Sequence, residues 1–201
     1  SASLTLEEVL DIIYKSDLKG FDIARVHTGD PSMYGAIREQ MISLDSMGIK
    51  YEVIPGVSSV FAGAAALKKE FTLPGVTQTL ILTRMAGRTP VPEMESIENL
   101  AKIQASMAIF LSIANIEELA KKLMTSYDKS TPAAVVYKAS WEDQKIIIST
   151  LENIALKVKE AGITKTAIVY VGNFLGDKFE MSRLYDKSFS HGCREAKDAR
   201  R

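Results

Sequence analysis

The sequence is poor in the groups that build metal and redox sites: among 201 residues there is one cysteine, Cys193, and two histidines, His27 and His191. A lone cysteine excludes an internal disulfide and any cysteine-based zinc cluster. Two histidines leave little for a dedicated transition-metal site, so no metal is expected. Charge of one sign is also missing, because 25 basic and 25 acidic side chains cancel to a formal zero. Without a basic tract, nucleic acid is not the expected partner. No run is long and apolar enough to cross a membrane, and no signal-peptide pattern opens the chain. What is present is a 46% apolar composition, enough to core one large domain or two small ones. A cytoplasmic globular protein is the expectation.

Apolar runs and helical periods alternate along the chain. Thr5-Leu6-Glu7-Glu8 reads as a capping box, with Leu6, Val9, Leu10, Ile13 and Tyr14 following at helical spacing. Strands are expected at residues 21–26, 51–54, 80–83, 107–111, 133–137, 146–149 and 167–171. Helices fall between them, carrying Tyr34, Ile37, Met41 and Leu44, the Ala-rich stretch 58–69, Ile97, Leu100 and Ala101, then Ile116, Leu119, Ala120, Leu123 and Met124, and 151–159. Such alternation implies βαβ units and mainly parallel sheet. Residues 133–137 and 146–149 lie too close for a crossover helix and should form a hairpin, which makes the second sheet mixed. With Pro74-Gly75 as the strongest punctuation, the expectation is two α/β domains, 1–75 and 76–201, and a frayed charged tail beyond Phe189.

The common site motifs do not occur. There is no G-x-G-x-x-G after a strand, no G-x-x-x-x-G-K-[ST] loop and no G-x-S-x-G elbow. Three turns at strand ends remain, where open α/β sheets bind ligands. The first is His27-Thr28-Gly29-Asp30-Pro31-Ser32-Met33-Tyr34-Gly35, which serves either as a plain turn capped by Asp30 or Ser32, or as a ligand turn. The second is Pro55-Gly56-Val57-Ser58-Ser59, whose hydroxyls could cap the next helix or whose amides could hold a polar group. The third spans residues 83–92, where Arg84 and Arg88 flank Gly87. These arginines are either solvated loop charge or a grip for carboxylates.

In this order and spacing the three segments resemble the tetrapyrrole methylase family. Val135-Val136-Tyr137-Lys138-Ala139-Ser140-Trp141 and Leu184-Tyr185-Asp186-Lys187-Ser188-Phe189-Ser190-His191-Gly192 extend the likeness over nearly the whole chain. The resemblance implies methyl transfer from S-adenosylmethionine to C11 of a cobalamin precursor, with S-adenosylhomocysteine as product. It also implies a trough between two α/β domains of a homodimer. Cofactor contacts would fall on Thr28, Gly29, Asp30, Met33, Ser58, Ser59, Ser112 and Ala139, while Arg84, Arg88 and Lys138 would neutralise substrate carboxylates. Family members open with a strand and a G-x-G-P-G-D-P loop, which this sequence does not contain. The first sheet is therefore expected to be N-terminally incomplete, a strand short, and to expose apolar surface. The alternatives on the same residues are a sibling methylase acting at another ring carbon or on another substrate, an inactive cofactor-binding remnant, and a generic nucleotide-binding module.

Overall fold

A computed structural model describes residues 3–196. The chain divides into two compact units, Ser1–Phe61 and Ala62–Arg201, and the division falls within a helix, α3 below.

The first unit opens on α1, Leu6–Asp17, and its start is the expected capping box. The Glu8 amide donates to the Thr5 hydroxyl at 3.3 Å, and the Thr5 amide donates to the Glu8 carboxylate at 2.7 Å. Two donors of the first turn, otherwise orphaned, are thereby satisfied. Leu10 and Ile13 form its buried stripe. Helix α2, Arg38–Met47, follows the first turn motif; α3, Ser59–Leu67, follows the second.

Strands were expected at 21–26 and 51–54, and neither forms; among the described residues the first unit contains no ladder. The mainly parallel sheet read for the first domain is corrected on this point. Apolar β-formers make a strand only when a neighbouring backbone lies about 4.8 Å away to take their N–H and C=O groups. Here residues 21–27 and 50–54 face α2 side chains across a cavity of about 770 Å³. Phe21, Val26, Val53 and Ile54 are exposed, Val26 by 79%.

The second unit is built on a five-stranded mixed sheet: β1 Leu80–Arg84, β2 Ser106–Phe110, β3 Pro132–Tyr137, β4 Lys145–Thr150 and β5 Ala167–Val171. Its spatial order is β1-β2-β5-β3-β4. Strands β1 and β2 are parallel, β5 is antiparallel to both β2 and β3, and β3–β4 is the expected hairpin. The central strands carry near-continuous apolar runs because both their faces are covered; edge strand β4 is largely exposed. Helices α4 (Ile97–Ala101), α5 (Ile116–Leu123) and α6 (Leu151–Glu160) cover one face, and on the other Tyr170 packs against Phe71, which packs on Phe174. In α5, Ile116, Leu119, Ala120 and Leu123 make the buried stripe, with Glu117 and Glu118 in the first turn and Lys121 and Lys122 in the last, matched to the helix dipole. These side chains pack with Met107, Ile109, Val135, Leu151, Ile154 and Val169 in one cluster. Each Ile or Leu fully buried there contributes roughly 1.5–3 kcal/mol.

The C-terminal segment carries local contacts on both sides of Phe189. A short 3-10 turn at Arg183–Tyr185 is followed by a bridge between His191 and Arg194, and the Arg194 guanidinium donates to the carbonyls of Leu184 and Asp186. Residues 197–201, the end of the segment expected to fray, lie outside the described residues. No helix among the described residues is long and apolar enough to cross a membrane.

Candidate active site

In the first unit the structure brings the first two turns into contact. A Cβ on Gly56 would stand 2.1 Å from the Gly29 carbonyl oxygen, and one on Gly29 would lie 3.6 Å from the Ser58 Cα. Gly29 also sits at φ +72°, where an L side chain is strained. Both glycines are therefore demanded by geometry. Asp30 ties the turns together. One carboxylate oxygen accepts the Gly56 amide at 3.0 Å, 26 residues away, and the other accepts the Ser32 amide at 2.9 Å and the Ser32 hydroxyl. The Ser32 hydroxyl, then the Gly56 and Ser32 amides, hold the Asp30 carboxyl below its ordinary range.

Thr28, Gly29, Asp30 and Met33 thus lie on one turn, laid against the turn that delivers Ser58 and Ser59 to the start of α3. Met33 is half-buried, its amide on the Asp30 carbonyl at 3.2 Å. Ser58 is buried and caps α3, with its hydroxyl accepting the Val60 amide and its carbonyl the Phe61 amide. The two readings of these turns, cap and cradle, are therefore compatible. The close backbone approach of Gly29 and Gly56 leaves a cradle of main-chain groups, unshielded by side chains, that fits a polar cofactor such as S-adenosylmethionine.

The remaining residues belong to the second unit. Because β1, β2 and β3 point the same way, their carboxyl ends share one sheet edge, where Arg84, Ser112, Lys138 and Ala139 follow. Four non-glycine residues at positive φ cluster on this edge: Leu111 at 54°, Lys138 at 46°, Ser140 at 73° and Thr166 at 56°. Each costs of order 1–3 kcal/mol, and such strain gathers at ligand sites. The Lys138 amide donates to the Thr166 carbonyl at 3.0 Å, which holds two of them in place.

Ser112 is buried, and its hydroxyl both accepts and donates. It accepts the Met85 amide at 2.9 Å and donates to the Phe110 carbonyl at 2.7 Å, joining the ends of β1 and β2. The three cations divide sharply. Lys138 pairs with Asp143 at 2.6 Å and stands 5.1 Å from the ring centroids of both Tyr137 and Trp141. The Asp143 hydrogen bond comes first among the causes that raise its pKa. Arg84 donates to the carbonyls of Met85, Thr89 and Pro90. Arg88 is exposed, and among the described residues no hydrogen bond or ion pair reaches its guanidinium. Sequence reasoning missed Asp143 and Trp141. Asp143 lies five residues from Lys138 across a hairpin turn, where no helical i,i+4 signal exists, and Trp141 was seen only as part of a motif.

The sequence pattern that defines the tetrapyrrole (corrin/porphyrin) methylases matches residues 1–155, and the chain belongs to that family. A cobalt-precorrin-4 C(11)-methyltransferase from Methanocaldococcus jannaschii is 52% identical over 198 residues, which is 98% of this chain and 76% of the relative. A precorrin-4 C(11)-methyltransferase from Pseudomonas aeruginosa is 43% identical over 192 residues, covering 95% of this chain and 77% of the relative. Among solved structures, a cobalt precorrin-4 methyltransferase described as a cobalamin biosynthetic enzyme superposes with a TM-score of 0.86. It is 43% identical, with 88% of this chain and 74% of that one covered. The uroporphyrin-III C-methyltransferase of Thermus thermophilus, solved with S-adenosylhomocysteine, shares the fold at TM-score 0.68 and 20% identity, over 85% of this chain and 75% of its own.

Proposed function

We propose that the chain is an S-adenosylmethionine-dependent C-methyltransferase that methylates C11 of precorrin-4, with or without cobalt, in the making of cobalamin. The observation that carries this reading is the 52% identity to a C(11)-methyltransferase across 98% of the chain. The site geometry agrees with it. Bound S-adenosylmethionine supplies a methyl group already activated on a sulfonium, so transfer to carbon asks the chain for positioning above all. Holding two reactants in near-attack geometry accounts for about 7–11 kcal/mol in well-oriented cases.

In this reading the turn of Thr28, Gly29, Asp30 and Met33 and the turn of Ser58 and Ser59 hold the cofactor, with Ser112 and Ala139 as further contacts. Asp30 acts chiefly by fixing the two turns against each other through the Gly56 amide. Arg88 meets a substrate carboxylate directly, since its five N–H donors have no partner within the described chain. The partners of Arg84 and Lys138 within the chain suit them to shaping the surface around that contact. A homodimer, a cytoplasmic location and a division into domains 1–75 and 76–201 accompany the reading, supported by the family likeness and by the Pro74-Gly75 punctuation.

The test is calorimetric titration with S-adenosylhomocysteine, followed by incubation with S-adenosylmethionine and precorrin-4. Saturable one-to-one binding and a product heavier by one methylene, with the new methyl located at C11, are expected. Binding with the methyl at another ring carbon would make the chain a sibling methylase.

A further inference from the structure

We propose that Arg84 is a positioning residue that locks the loop after β1 so that Arg88 is presented, preformed, to a carboxylate of the substrate. The inference rests on the reading of Arg88 as a direct substrate contact.

The loop of residues 85–90 is held from two sides. At its start, the buried Ser112 hydroxyl accepts the Met85 amide at 2.9 Å. Across it, the Arg84 guanidinium donates from Nη1 to the Thr89 carbonyl at 3.1 Å and to the Met85 carbonyl at 3.3 Å, and from Nη2 to the Pro90 carbonyl at 2.8 Å. The Thr89 carbonyl also accepts the Gly87 amide at 3.2 Å, so it is the centre around which the turn is wound. A planar fork can bridge consecutive carbonyls in this way, whereas an ammonium presents a single point of charge. The loop has little else to hold it. Residues 86–90 are all exposed, and a Cβ on Gly87 would meet nothing within 4 Å. Arg88 lies at the centre of this exposed stretch, between Gly87 and Thr89.

Two arginines four residues apart therefore have different tasks. One is bound inward to main-chain carbonyls and cannot reach a ligand without releasing them. The other is free. A loop ordered before binding loses less freedom when the substrate arrives, so the effect should appear in affinity.

The experiment compares the parent chain with Arg84→Ala, Arg84→Lys, Arg88→Ala and the double alanine variant. Steady-state kinetics with precorrin-4 and S-adenosylmethionine would be measured beside hydrogen exchange of amides 86–89. S-adenosylhomocysteine affinity reports that each variant is folded. Arg88→Ala should raise KM about tenfold, with kcat within about twofold. Arg84→Ala should raise KM by a smaller factor, about fivefold, and speed exchange at 86–89 alone. Arg84→Lys should restore part of both effects. In the double variant KM should equal that of Arg88→Ala, because Arg84 acts only through Arg88. A further rise in KM in the double variant would overturn the proposal, since Arg84 would then have its own effect on substrate. Unchanged exchange in Arg84→Ala, with Arg88→Ala impaired, would overturn the lock alone. An unchanged KM in Arg88→Ala would overturn the substrate-contact reading beneath it.

Discussion

Asp30 shows how a single side chain can look like a ligand group and act as a fastener. Its carboxylate is filled by the Ser32 hydroxyl and amide and by the Gly56 amide, all supplied by the chain. Replacing one oxygen by an amide, as in Asp30→Asn, removes the charge that strengthens these bonds and sets a donor against one of the incoming N–H groups. S-adenosylhomocysteine affinity should fall about tenfold at neutral pH, measured by calorimetry. The pH dependence has a definite sign. A carboxyl held below its ordinary value of 3.8 contributes above that value and loses its contribution as the pH falls through the lowered one. The parent should therefore keep its affinity from neutrality down to about pH 4, while Asp30→Asn is weak throughout. Equal affinity in parent and variant would place Asp30 outside the fastening role. The sequence made Gly29-Asp30-Pro31 conspicuous, but taken alone the turn favoured the plain cap over the ligand turn. The deciding partner, Gly56, lies 26 residues on, and no local spacing rule connects the two. Arg84 and Lys138 were likewise visible as cations, but their partners were not.

Helices and strands were legible where local pattern and tertiary cover agree. Helix α5 carries its apolar stripe and its end charges within eight residues, and the β3–β4 hairpin follows from a connection too short for any crossover. Central strands β2, β3 and β5 read correctly because continuous apolar runs suit strands covered on both faces. Residues 21–26 and 51–54 have the same apolar character yet form no ladder, since a strand is a property of a pair and a single sequence shows only one member. Their backbone amides, lacking ladder partners, should exchange with solvent quickly. Hydrogen exchange followed by mass spectrometry should find peptides covering 21–28 and 50–57 far less protected than those covering β2 and β5. Added S-adenosylhomocysteine should slow exchange most at Gly29, Asp30, Ser58 and Ser59. Protection of 21–26 equal to that of β5, without ligand, would contradict the unpaired state.

Across the whole molecule, family membership was legible because three short turns stand in order between residues 27 and 92 and two further segments, 135–141 and 184–192, carry the likeness along the chain, which no single turn could establish. The distribution of stability was not, since it depends on which polar groups end up buried. Tyr127 is the clearest case. It is 6% exposed, its hydroxyl donates to the Ala105 carbonyl at 2.6 Å, and burial pushes its pKa up to about 12 from 10.0. Tyr170, fully buried beside Phe71, is shifted in the same direction by the same cause. A phenol whose pKa is raised by folding holds its proton in the native state while the unfolded chain has already released its own. Stability is thus intact below pH 10 and declines as the pH rises through 12. For Tyr127 the shift corresponds to about 2–3 kcal/mol over that interval. Denaturant unfolding of the parent, followed from pH 8 to 12, should show this decline. Tyr127→Phe should cost about 1 kcal/mol at pH 8 for the lost hydrogen bond. The same variant should flatten the alkaline decline by about 2 kcal/mol, leaving the portion that belongs to Tyr170. If both proteins lose stability along the same slope, the Tyr127 hydroxyl does not stay protonated in the folded core, and the alkaline decline of this molecule comes from Tyr170 and its surface charge instead.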